Sequence, residues 1–171
     1  GYSAGDVTSA DGTKKFGRIT AGLYRFRPDG SALEQVSAGA CNTWGCEIAP
    51  DGEIFFSTAT CGQPILHVVL PEKVISRAGV PGVRSTNPIM EENKVFPARK
   101  ETRQPYLQID WVGAWTAASG ATIYDGGAWP AQWQGPSWSF FLHEPTVWLM
   151  HHEFLDPAGV TYQGRREASR K

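Results

Sequence analysis

The chain has 171 residues and a formal net charge of −1, enough for one domain with a real core and without the basic footprint of a nucleic-acid or acidic-membrane binder. No apolar run reaches the ~20 residues a membrane-spanning helix needs, so no transmembrane segment is predicted. Nineteen glycines, 12 prolines and seven tryptophans beside two methionines favour an all-β chain of short strands joined by many turns.

In chain order, residues 1–15 are polar, glycine-containing and aperiodic, and read as a leader loop. Asp6, Asp11 and Gly12 have a faint calcium-loop spacing, but Thr8 and Ala10 stand where carboxylates or carboxamides are wanted, so a plain surface loop is the better reading. The chain opens at Gly1 without an initiator Met or a charged-then-apolar leader. That reads as a mature form, a proteolytic piece or a segment. Residues 22–27 alternate apolar and basic, turn at Pro28-Asp29-Gly30 and return through residues 32–36, with Tyr24 and Phe26 expected in the core.

The stretch from Gly39 to Gly62 repeats the device. Trp44–Ala49 is the expected incoming strand, Pro50–Glu53 the turn and Ile54–Thr60 the return strand, rich in residues that fit a pleated, buried surface. All three cysteines lie in it. With a two-residue loop at Asp51 and Gly52, Cys46 would oppose Ser57 and Asn42 would oppose Cys61. A Cys41–Cys61 disulfide is then the better pairing and Cys46 a buried thiol. No zinc-ribbon, redox or haem-attachment spacing is present, so no metal site is predicted and no haem belongs to this chain.

Residues 65–70 form a third apolar strand. Residues 71–109 then break the rhythm: a helical turn is expected near Lys73–Arg77, followed by a proline-rich, charged stretch with scattered apolar anchors, a long irregular insertion. Strands return at 122–124, 139–142, 147–154 and 160–164, the last two joined by Asp156-Pro157-Ala158-Gly159. Repeated short hairpins with similar turns predict propeller-like blades, with a sandwich as the structural rival. The expected organisation is a leader (1–15), first blades (16–70), the insertion (71–109) and a further blade (110–168).

The series GLYRFRPDG, NTWG, PILHVVLPEKV, GATIYDGG and EPTVWLMHHEFLDPAGVTY resembles the propeller region of the planctomycete-type putative membrane-bound dehydrogenases, a family similar to the glucose/sorbosone dehydrogenases. The resemblance covers residues 16–168. It implies a partial propeller of about two to three blades, where closure takes four to eight, so other chains or missing blades would complete it. It also implies an exported, periplasmic or secreted protein that oxidises sugars or polyols, with further blades and an electron-accepting module outside this chain. The rival class is a non-catalytic propeller that binds or scaffolds within a larger assembly.

The resemblance further implies pyrroloquinoline quinone as cofactor, with Asn42 and Trp44 in the cofactor loop. Cys41 stands where that loop carries an arginine, which removes the cation that would meet a cofactor carboxylate. The plainer reading has Asn42 capping a turn and Trp44 packed between blades. The family pattern keeps histidines at His151 and His67, and a histidine suits the base that takes a hydroxyl proton. His151 is the first candidate, His67 the second, with Glu144 a candidate orienting partner. His151 and His152 point to opposite faces of an extended strand and cannot share a metal ion. Trp129, Trp133 and Trp138 could form a sugar-binding platform, against the commoner role of packing between blades.

Overall fold

The computed structural model describes residues 4–38, 42–59, 63–90, 115–131, 137–146 and 149–166. Among them the chain builds twelve strands and one short helix. Three successive hairpins use one turn chemistry. Strands β1 (Gly5–Thr8) and β2 (Lys15–Ile19), β3 (Gly22–Phe26) and β4 (Leu33–Ala38), and β5 (Asn42–Ile48) and β6 (Ile54–Ala59) are each joined through an Asp-Gly pair. Each Asp (Asp11, Asp29, Asp51) accepts a hydrogen bond from the amide two residues on, at 3.0, 2.8 and 3.1 Å. Each Gly then takes a positive φ of 71, 69 or 92°, a conformation open to glycine without steric cost.

The third hairpin continues through β7 (Ile65–Val68) and β8 (Thr86–Pro88) into an antiparallel sheet of order β5-β6-β7-β8. Helix α1 (Glu72–Ala78) sits between its last two strands, closed by Gly79 in the left-handed region, and packs beside β4. The last sheet is a second four-stranded antiparallel meander of β9 (Ser119–Tyr124), β10 (Trp138–Glu144), β11 (Leu149–Ala158) and β12 (Thr161–Arg165). The fold is therefore all-β, built of partial blades.

The β5–β8 sheet is the middle layer, and β6 shows why. Its burial is nearly unbroken, with Phe55 and Phe56 both fully buried on opposite faces. Phe55 belongs to the larger core, with Ile65, Ile89, Trp115, Ile123, Phe140, Leu142 and Leu155 between the two four-stranded sheets. Phe56 joins Val36 and Val68, with Leu23, Ile54 and Leu66 beside them, under the β3–β4 pair. The two large sheets stack face to face across this core. Strand β5 lies on β9, and at the far edge the Gly164 N–H of β12 donates to the Ile89 carbonyl just past β8 at 3.0 Å. The β5–β9 approach is close. A Cβ on Gly45 would sit 2.7 Å from the Ala121 nitrogen and 2.8 Å from Ser57 Oγ, so only glycine fits.

Several expectations change. Residues 1–15 are not a plain loop, because Gly5–Thr8 pairs with Lys15–Ile19. The insertion opens with a full α1, and its residues 86–88 complete the middle sheet; residues 91–109 lie outside the described residues. The β3–β4 register skips Val36 on β4, with Leu23 opposite Ser37 and Tyr24 opposite Gln35; on β3 it is Leu23 that packs on the core, while Phe26 is 68 % exposed. In the β5–β6 hairpin, Ala49 N–H donates to the Glu53 carbonyl, leaving a three-residue loop, and a second bulge lies between Thr43 and Gly45. Cys46 therefore opposes Phe56 rather than Ser57, and Asn42 opposes Ala59. Cys46 is exposed rather than a buried thiol, and the Cys41–Cys61 pairing lies outside the described residues.

Candidate functional site

The interface between the two four-stranded sheets buries three carboxylate or imidazole groups that composition alone would place at the surface: His67, Glu144 and Glu153. His67 lies on β7 opposite Phe55, stacks on its ring at 4.9 Å and meets the edge of Tyr162 at 5.3 Å. Its Nε2 is 2.7 Å from Glu53 Oε2, and its Nδ1 is 3.0 Å from Thr161 Oγ1, which also accepts from Asn87 Nδ2 at 3.2 Å. With both nitrogens engaged and 1 % exposure, His67 ties β7 to the turn before β6 and to β12. Beside it the Tyr162 hydroxyl donates to Asp51 Oδ2 at 3.1 Å. Burial, that hydrogen bond and the Asp51 and Glu53 charges push the Tyr162 phenol up to about 12.

His151 is placed differently. It lies opposite Leu142 on β11, two residues before Glu153, which lies opposite Phe140, so both face the interface core. His151 Nε2 is 2.8 Å from Glu153 Oε1, and Arg166 Nε donates to the same oxygen at 3.1 Å. The imidazole meets the edge of Trp115 at 5.3 Å and 79°. Its side chain keeps 12 % exposure, against 2 % for Glu153. A carboxylate on Nε2 favours the tautomer with the proton there. Among the described residues nothing hydrogen-bonds the ring's Nδ1. Glu153 Oε2 accepts no hydrogen bond among them either; it rests on Gly164, where a Cβ would come within 1.9 Å of it.

Glu144 is not the orienting partner of either histidine. It is fully buried, and its carboxylate accepts the Thr116, Ala117 and Thr146 amides at 2.8, 2.9 and 3.0 Å. The carboxylate beside His151 is Glu153. A same-face signal for this pair existed in the spacing of His151 and Glu153, two apart on one strand, whereas Trp115 and Arg166 carried no local signal. His152 stacks on Phe141 on the opposite face, as the alternation requires.

Asn42 and Trp44 lie on β5, away from the imidazole cluster's strands. Asn42 pairs with Ala59; Trp44 stands at the bulge, 63 % exposed, and so is not packed between the described blades. Residues 38–49 contain no Lys or Arg. A quinone bearing three carboxylates needs cations or several donors there, and the residues present do not fit it. The three-tryptophan platform also fails to form. Trp138 stacks on Tyr162 inside the interface, whereas Trp129 stacks on Tyr124 and abuts Phe141 on the outer face; Trp133 lies outside the described residues. Among the described residues no three His, Cys, Asp or Glu side chains group to hold a metal ion.

The family model described as a domain of unknown function (DUF7133) matches residues 1–171, and the chain belongs to that family. No curated protein and no solved structure matches it.

Proposed function

We propose that the chain is the propeller segment of an exported dehydrogenase-like protein that oxidises sugars or polyols, with His151 taking the hydroxyl proton. The observation that carries this reading is the Glu153–His151 pair. A buried carboxylate holds one ring nitrogen of a side chain that keeps 12 % exposure, and nothing among the described residues hydrogen-bonds the other. That is an arrangement a general base can use, with its ring oriented by the neighbouring carboxylate. The chain's own contribution is the proton and its positioning. The reaction also needs a two-electron acceptor for the hydride. A periplasmic or secreted location belongs to the same reading; among the described residues no helix is long and apolar enough to cross a membrane.

The test is oxidation of a panel of aldoses and polyols with an artificial electron acceptor, using the complete native protein. His151→Gln is expected to lower kcat by ~10²-fold or more. Unchanged turnover in His151→Gln refutes the assignment. A second reading, a non-catalytic binding or scaffold subunit, is favoured by the locked His67 and by the absence of cations in the sequence around Asn42. It is supported instead if no substrate in the panel is oxidised while the protein still purifies in a defined complex.

A further inference from the structure

The β3–β4 face of the middle sheet changes abruptly from covered to bare. On β6, Ile54 and Phe56 pack under the β3–β4 pair, and Phe56 is fully buried. Their cross-strand neighbours on β5, on the same face, are Ile48 and Cys46. Ile48 is 64 % exposed, and Cys46 is exposed. Trp44 continues the row at 63 % exposure, and Phe26, where β3 ends, is bare as well. On the other face of β5, by contrast, Gly45 is pressed against β9. The cover is two strands wide over a sheet of four.

An edge strand presenting a Trp, a thiol and an Ile in alternation is a liability in an isolated sheet. The row is continuous with an interface that already exists, and its chemistry is that interface's chemistry. Resting on the reading of the chain as a propeller segment, we propose that the Trp44–Cys46–Ile48 row is the docking surface of a further β-blade of the same polypeptide. That blade presents an apolar strand face to β5. Its strands widen the β3–β4 cover to the width of the sheet beneath. The partner is intramolecular because the three sheets already stacked here follow one another along a single chain, and a tethered blade meets β5 at high effective concentration.

Cys46 reports on the contact directly. The experiment is maleimide labelling of Cys46, located by peptide mass, in the complete native protein and in its Ile48→Asp variant, with native mass measured over a hundredfold concentration range. Docking predicts slow labelling of the wild type at every concentration and at least tenfold faster labelling of the variant, in a monomer. Equal, rapid labelling in both overturns the proposal. Protection that appears only at high concentration, with a doubled mass, overturns it in favour of a second copy. If Ile48→Asp loses its circular-dichroism signature, Trp44→Ser replaces it. Loss of sugar oxidation leaves these rates unmoved, so the docking claim and the catalytic claim fail separately.

Discussion

Removing the Glu144 carboxylate is expected to be among the costliest single changes in the molecule. Its Oε2 accepts the Thr116 and Ala117 amides, and its Oε1 accepts Thr146, at the end of β10. Ala117 also forms an isolated bridge with Ala59, so the same few residues connect the last sheet to the middle one. Glu144→Ala leaves these donors without their acceptor in a place water reaches poorly, since Thr116 is 5 % exposed. At ~1–3 kcal/mol for each orphaned buried donor, and with Thr146 at a turn able to find water, the loss is ~3–6 kcal/mol. That is a large part of the ~5–15 kcal/mol that holds a domain folded. Glu144→Gln keeps one oxygen for Thr116 and Ala117 and gives up only the Thr146 bond, for ~1–2 kcal/mol. Urea unfolding followed by tryptophan fluorescence measures both. The reasoning is refuted if the Ala and Gln variants unfold within ~1 kcal/mol of each other, because then the accepted amides are not what Glu144 contributes.

Two further outcomes follow from the same interface. Gly45→Ala drives a methyl against the Ala121 and Gly120 backbone nitrogens at 2.7 and 3.0 Å, atoms that cannot rotate aside. It should destabilise by ~1–3 kcal/mol and speed amide exchange in β9, while Gly12→Ala, with open space around it, strains only its own turn. Tyr162 has a phenol raised to about 12 in the folded chain from an ordinary value near 10. The folded state binds that proton more tightly, so its contribution to stability is complete below pH ~10 and is lost as pH rises toward 12. Tyr162→Phe should flatten the alkaline limb of the stability–pH curve, which a series of urea melts between pH 9 and 12 would show; an unchanged limb places the titration elsewhere.

Turn chemistry and strand content were legible in the residues because they are local. Pro-Asp-Gly announced two hairpins, and the dense run at 54–60 announced a largely buried strand. What was not legible turned on single-residue offsets. A three-residue loop in place of two gave Cys46 another partner and left it exposed, and β3 turned its Leu23 face rather than its Phe26 face to the core. Because side chains alternate along a strand, one extra residue is enough to exchange faces. The polar stretch at 1–15 hid a strand pair for another reason: its burial pattern is mostly exposed, so no apolar periodicity marks it. At the site, His151 was visible as a residue type in a strand. Its carboxylate neighbour could not be named from sequence, where Glu144 is one candidate, because Glu144 and Glu153 differ only in what the fold brings to them: three backbone amides for one, an imidazole and a guanidinium for the other.

The two interface histidines separate structure from chemistry by a simple criterion. Both sit opposite core residues on strands of stacked sheets, and both touch a carboxylate at 2.7–2.8 Å. Their carboxylates differ. Glu53 is 44 % exposed, so the partner of His67 is solvated while the ring itself is sealed between Phe55 and Tyr162. Glu153 is 2 % exposed, so the partner of His151 is sealed while the ring reaches the surface. A proton delivered to His67 has no route to a ligand, because Thr161 closes its second nitrogen. Among the described residues nothing closes the second nitrogen of His151, whose Nε2 lies 2.8 Å from Glu153 Oε1. The same pair of residue types thus yields a clamp at His67, closed on both nitrogens, and at His151 a pair with one nitrogen left open, which is the geometry the proposed base rests on.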